Sequence, residues 1–207
     1  ADRGEGDQWK QSTGTLYQWG RKDPFRHEIT PSRANTQAYL NEAVSMPTTF
    51  FYGYGNWVKE ENRSDYFWSS NQKTIYDPCP VGYRVSTSDI WAGFIVDGSS
   101  TTDRRSSINA EGSFDYGLNF YIDDNATLAW YPAVYSIMDW GDVEWNSNDV
   151  HYWSANSLWA ESAERLYFYY TVDDMSLDNQ DMGYRIQIRD HADNKVNAFP
   201  VRCMKDE

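Results

Sequence analysis

Few residues of this chain have both the type and the spacing that reactive chemistry requires. The two cysteines, Cys79 and Cys203, and the three histidines, His27, His151 and His191, are scattered. No Cys-x-x-Cys occurs, so neither a redox pair nor a thiolate-rich metal site has local support. His151 could serve a Ser/His/Asp arrangement, but the chain has no Gly-x-Ser-x-Gly elbow to present the serine. Carboxylate pairs for glycoside hydrolysis can be drawn from 31 acidic residues in many ways, and that abundance singles out none of them. The roles of nucleophile, base and oxyanion donor stay unfilled, so no catalytic residue is assigned.

Binding chemistry has more support. Asp123, Asp124, Asp139, Asp142, Glu144, Asn148, Asp149, Asp173, Asp174, Asp178 and Asp181 are hard oxygen ligands in polar stretches. They lack EF-hand spacing, and solvated acidic loops are the ordinary use of such residues. No metal site is assigned and no cofactor is expected; calcium is the one cation these oxygens could take. Trp140 and Trp145 lie in the most polar stretch, residues 135–150. An indole face stacks on the C–H surface of a sugar while short acceptors bond its hydroxyls; the opposing reading makes both indoles packed anchors. The candidate ligand-binding set is Asp139, Trp140, Asp142, Glu144, Trp145, Asn146, Asn148 and Asp149, with the polar loop 96–109 beside it.

These groups need a scaffold, and composition indicates its kind. Aromatic residues make up 17% of the chain, with 10 Trp and 16 Tyr. Such residues favour strands and need partners for their polar tips, which predicts a β-rich core built from aromatics. The net charge of −13 argues against nucleic acid and anionic membrane surfaces as partners, and keeps a basic protein partner open. No apolar run reaches the ~18 residues of a membrane span, so no membrane insertion is expected. Residues 1–13, Gly-rich and charged, read as a mobile arm, and residues 14–207 as one domain.

The stretch Tyr76-Asp-Pro-Cys-Pro-Val-Gly-Tyr-Arg-Val-Ser-Thr87 organises the chain. Pro78 and Pro80 fix φ and remove backbone donors, so a pinned loop is predicted. A strand around Tyr83–Val85 follows, then a helix over 88–94 capped by Thr87, with Ile90, Trp91, Phe94 and Ile95 on its buried side. Elsewhere the pattern predicts a strand over 15–19, a helix over 36–45, a strand over 49–54 and, over 56–71, a surface excursion with some packing that holds Trp57, Phe67 and Trp68 among charges. Two strands, 112–122 and 127–134, form a hairpin through 123–126. Residues 135–150 read as a long loop. Strands follow at 151–155 and from Ala163 onward, then an acidic turn at 175–182. A closing hairpin pairs 183–188 with 198–205. Tyr83, Trp91, Phe94, Trp153, Phe168 and Phe199 are expected to share one core.

The central stretch resembles the signature of the Fibrobacter succinogenes major paralogous domain family, surface domains common in Bacteroidetes-type bacteria. Further matches run in order along the chain: Leu16-Tyr-Gln-Trp-Gly-Arg-Lys-Asp-Pro-Phe25, Pro47-Thr-Thr-Phe50, Lys73-Thr-Ile-Tyr76, Tyr152-Trp-Ser-Ala155 and Phe199-Pro-Val-Arg-Cys-Met-Lys-Asp206. Ser86 departs from the family's usual Pro. The resemblance implies an α+β, C-type-lectin-like fold: twisted antiparallel strands, one or two short helices and long loops. It implies an exported, non-catalytic domain at the extracellular or outer-membrane surface, part of a lipoprotein or fimbrial protein, used for adhesion to a glycan or a surface protein. Cys79 and Cys203 lie in two of the matching stretches, which in an exported protein implies a bridge between them. A carbohydrate-binding module, calcium-assisted, is the alternative. Glu144-Trp-Asn-Ser-Asn-Asp149 resembles the Trp-Asn-Asp of sugar-binding C-type lectins only loosely, with two residues inserted. A third reading is an enzyme similar to formylglycine-generating enzymes, whose chain end Val201-Arg-Cys-Met-Lys-Asp206 resembles. Their second nearby cysteine has no counterpart here, so that activity is not carried over.

Overall fold

Alternating apolar and polar residues in the second half of the chain produce its longest element, a hairpin of Asp149–Trp159 against Ser162–Tyr170. In the computed structural model, which describes residues 14–26, 28–112, 114–123, 127–145, 148–170 and 184–206, this hairpin centres a five-stranded sheet. Val150 pairs with Phe168 and Tyr152 with Leu166, so four large side chains share one face. Tyr184–Gln187 joins antiparallel through Phe168 and Ile186, and Thr101–Thr102 and Ala192–Asn194 complete the sheet. That face buries Leu166, Phe168, Ile186 and Ile188 against Trp91 and Phe94 of a short 3-10 helix, Ser88–Phe94, and against Ile95 just after it. The hairpin Gly117–Tyr121 with Leu128–Pro132 adds Leu118, Phe120 and Tyr131 to the same core. Phe94 and Phe120 stack with centroids 4.0 Å apart, an arrangement that adds to the burial of both rings.

A second core lies around Trp19, Trp57, Trp68, Trp153 and Phe199. Each of the four buried indoles donates to a backbone carbonyl: Trp19 to Ser154 at 2.9 Å, Trp57 to Trp19 at 2.8 Å, Trp68 to Tyr76 at 3.0 Å and Trp153 to Tyr17 at 3.0 Å. Three of these bonds cross-link segments 38 or more residues apart in sequence, the Trp68 bond is local, and the indoles of this second core meet their polar obligations. Thr15–Gln18 sits in a second sheet between Phe25–Arg26 and Ala198–Phe199, and the sheet continues to Tyr135–Ile137 and Val143–Trp145. Arg21, buried at its edge, donates to the carbonyls of Thr49, Met46 and Pro47 and ties down the end of the α-helix Leu40–Ser45. Burial pushes its guanidinium down to about 10 while Asp23 pulls it back up, so it stays charged at neutral pH.

The two cysteines are joined, with Cα atoms 5.8 Å apart, across a short two-stranded sheet in which Cys203 pairs with Val85. Asp77 builds the loop that carries Cys79. One carboxylate oxygen accepts the Cys79 N–H at 2.8 Å and the Lys73 ammonium at 2.9 Å; the other accepts the Val85 N–H at 2.8 Å. Asp206 closes the neighbourhood, accepting from the Lys73 N–H at 3.3 Å and pairing with Arg84 at 3.2 Å.

Among the described residues the architecture is β-rich and mostly antiparallel, with one short α-helix and short 3-10 turns; the strands Ser32–Ala34 and Thr49–Phe51 pair in parallel. Several expectations need correction. The stretch expected as a loop over 135–150 holds a second hairpin at 135–145, because Tyr135, Ser136 and Ile137 pair with Trp145, Glu144 and Val143, and the long strand begins at Asp149. The strands expected at 183–188 and 198–205 do not pair with each other: the first joins the long hairpin, and the second splits between the second sheet and the disulfide-linked pair. The helix after Thr87 is 3-10 and has no side-chain cap; Asn156 accepts the Ser88 N–H instead, and Ile90 is exposed. Residues 56–71, expected as a surface excursion with some packing, pack more deeply than that, with Trp57, Phe67 and Trp68 all buried. The six aromatics expected in one core are divided. Trp91, Phe94 and Phe168 belong to the first core and Trp153 and Phe199 to the second, while Tyr83 is 47% exposed. Expectations for 1–13, 124–126 and 175–182 lie outside the described residues.

Candidate ligand-binding site

The hairpin 135–145 holds four of the eight residues singled out for binding in positions the structure describes fully: Asp139, Trp140, Asp142 and Glu144. Its inner face is apolar, with Ile137 buried in a small core with Leu16, Phe25, Phe50 and Ala198, and Val143 packed against that core. Alternation therefore turns Asp142 and Glu144 outward, where both are exposed. Gly141 makes the tip, at φ +83°; a Cβ there would lie 2.7 Å from Cδ of Arg33 and 3.3 Å from the Phe50 ring. Arg33 also pairs with Asp142 at 2.6 Å, so the tip is pinned to the body of the protein. Trp140 stands beside that pinned glycine, 48% exposed, with exposed Asp139 before it.

Asn148 and Asp149 are half-buried at the start of the long hairpin, where the Asn148 carbonyl accepts the Tyr170 N–H at 2.9 Å. Asp149 lies 3.4 Å from Nε2 of the buried His151, whose ring stacks on Phe199 at 4.5 Å. Nearby Tyr167 is pushed up to about 12 by burial and by Asp149. Trp145 is part of a strand, but its side chain, like Asn146, lies outside the described residues. Among the described residues no group of three His, Cys, Asp or Glu side chains converges to hold a metal ion. The loop 96–109 is braced internally: Arg105 donates to the carbonyls of Ile108, Ala110 and Gly112, and Ser99 to that of Thr101.

Sequence reasoning missed a second surface. At the tip of the long hairpin Trp159 pairs with Ser162 across the turn Ala160-Glu161, and its indole is 68% exposed. Trp159, Glu161, Ser162, Asp190 and Asn194 line an open cleft of about 540 Å³. An aromatic at a tight turn between two alternating runs was the available signal, obscured because the acidic Ala160-Glu-Ser-Ala-Glu164 also fits a helix start.

One contact has a catalytic look. The Lys195 ammonium lies 2.6 Å from the Ser157 hydroxyl, and burial lowers its pKa. It also bonds Asp65 at 2.9 Å and sits 4.4 Å from the centroid of the Trp19 ring, with only 2% of the residue exposed. A charge satisfied on these sides and shielded from solvent is a buried brace, not an accessible base.

Comparison of the chain with protein families, with curated proteins and with solved structures returned no match.

Proposed function

We propose that this chain is a non-catalytic binding domain of an exported bacterial surface protein, similar to the Fibrobacter succinogenes major paralogous domains and C-type-lectin-like in its fold. It serves adhesion or ligand capture as part of a lipoprotein or fimbrial protein. The observation that carries this reading is Trp140: a large apolar plate, half exposed, on a hairpin tip pinned by Arg33 and Gly141, in a hairpin that also exposes Asp139, Asp142 and Glu144. Burying that indole in a hydrophobic contact would strengthen the fold, whereas presenting it on a pinned tip serves a partner. The Cys79–Cys203 bridge supports an oxidising compartment.

A polyhydroxylated ligand suits Trp140 and its acceptors best, so carbohydrate binding is the leading ligand class. Glycan-array binding of the protein, repeated with a chelator, tests the reading. Retention of defined glycans supports it, and loss of that retention with chelator assigns a calcium ion to the site. Binding to no glycan, with capture of basic proteins instead, redirects the ligand class to protein.

A further inference from the structure

We infer that the cleft at the tip of the long hairpin is a separate binding site for a neutral or amino sugar, with Trp159 as its stacking plate and Asp190 and Asn194 as its hydrogen-bonding groups. It uses none of the residues around Trp140, so it stands or falls apart from the reading above.

The cleft is concave and its volume of about 540 Å³ lies within the ~300–1,000 Å³ typical of small-ligand sites. Its walls are fixed before any ligand arrives. The turn is held by Asn56 Nδ2, which donates to the Ala160 carbonyl at 2.8 Å, and by the Lys195 N–H, which donates to the Glu161 carbonyl at 2.8 Å. Glu161 pairs with Arg63 at 3.3 Å. On the opposite wall Asp193 accepts from Arg165 at 3.0 Å and from Asn197 at 2.7 Å. Arg189 and Asp190 both adopt left-handed backbone, φ +37° and +54°, a conformation that costs about 1–3 kcal/mol per non-glycine residue. The corner is held by the Asp190 N–H, which donates to the buried Glu164 carboxylate at 3.3 Å, and by Arg189, which donates to the Gly98 carbonyl at 2.9 Å.

Against these fixed walls, the groups facing the cleft are uncommitted. Among the described residues the Trp159 indole N–H, the Asp190 carboxylate and the Asn194 side-chain amide have no hydrogen-bond partner, and Trp159 has no ring contact. Together they supply an apolar plate, a two-oxygen acceptor and a combined donor and acceptor, the set that a pyranose with one C–H face and several hydroxyls uses. Charge sets the specificity. Arg63 and Arg165 neutralise Glu161 and Asp193, which leaves Asp190, next to His191, as the carboxylate of the cleft with no Arg or Lys partner among the described residues. A uronic or sialic acid would meet that carboxylate within a protein of net charge −13, while a neutral sugar bonds it and an amino sugar gains an ion pair.

The test titrates the protein with methyl glycosides of neutral hexoses, with hexosamine glycosides and with a polyuronate, read by NMR of the indole N–H signals. The Trp159 signal is identified by its disappearance in Trp159→Phe. Neutral and amino sugars are expected to shift it, with Asp190→Ala and Trp159→Ala each weakening binding by about tenfold or more. Trp140→Ala is expected to leave this titration unchanged. The inference is overturned if no sugar moves the Trp159 signal, if only the polyuronate does, if Trp159→Ala binds as well as the wild type, or if the shifts fall on Trp140 alone.

Discussion

Asp77 shows how one side chain sets a local structure. Pro78 and Pro80 make the loop rigid, and that much is readable in the sequence. The reason for an aspartate before them is not, because its partners Lys73 and Val85 are chosen by the folded chain. Its carboxylate, buried and holding two backbone N–H groups and an ammonium, makes charge-assisted bonds of the strong kind. Asp77→Ala is expected to cost about 3 kcal/mol in urea unfolding, since two buried N–H groups and the Lys73 charge lose their acceptor. Asp65 gives a pH signature. The Ser157 hydroxyl, then the Lys195 ammonium, hold its carboxyl below the ordinary 3.8. A depressed acid pKa stabilises the fold above the unfolded value, and that contribution is lost as pH falls through the folded one. Urea midpoints of the wild type should therefore fall on acidification below about pH 4, and Asp65→Asn should show a shallower fall over the same range.

At the level of elements, periodicity revealed which faces are buried better than which strands pair. Tyr184, Ile186 and Ile188 lie on one buried face as their alternation predicts. Their partner is the strand Ser162–Tyr170 and not the chain end, because a period of two fixes a face and leaves the neighbour open. The hairpin 135–145 was hidden for a related reason: its apolar strand residues, Ile137 and Val143, flank a tip rich in Asp and Trp, the composition of a loop. Gly141 is the clue that physics makes legible afterwards, since its positive φ and its contact with Arg33 exclude a side chain. Gly141→Ala is expected to destabilise by about 1–3 kcal/mol through left-handed backbone and crowding, measured by thermal melting. In the first core, Phe120→Ala removes a ring packed on Phe94, Tyr131 and Phe168 and is expected to cost about 3–5 kcal/mol in chemical denaturation.

Over the whole molecule, the stretches that carry the family resemblance converge on the scaffold. Trp19, Arg21, Asp77, Cys79, Trp153, Phe199 and Cys203 build the second core and its clamps, while the exposed indoles Trp140 and Trp159 lie outside those stretches. The sequence therefore made the frame more readable than the proposed binding surface, whose residues gain meaning only from exposure. The Cys79–Cys203 bridge closes a loop of sequence separation 124, worth up to about 4–5 kcal/mol in the chain-entropy account. A Cys79→Ser, Cys203→Ser double variant should lose stability within that limit when compared with the wild type by denaturant unfolding. The central claim, that Trp140 is held out for a ligand, is tested most directly by measuring binding to the same immobilised glycans for the wild type and Trp140→Ala, with melting temperature recorded on both. The account predicts at least about a tenfold loss of binding with melting temperature unchanged. Equal binding by the two proteins, or unfolding of Trp140→Ala, would contradict it.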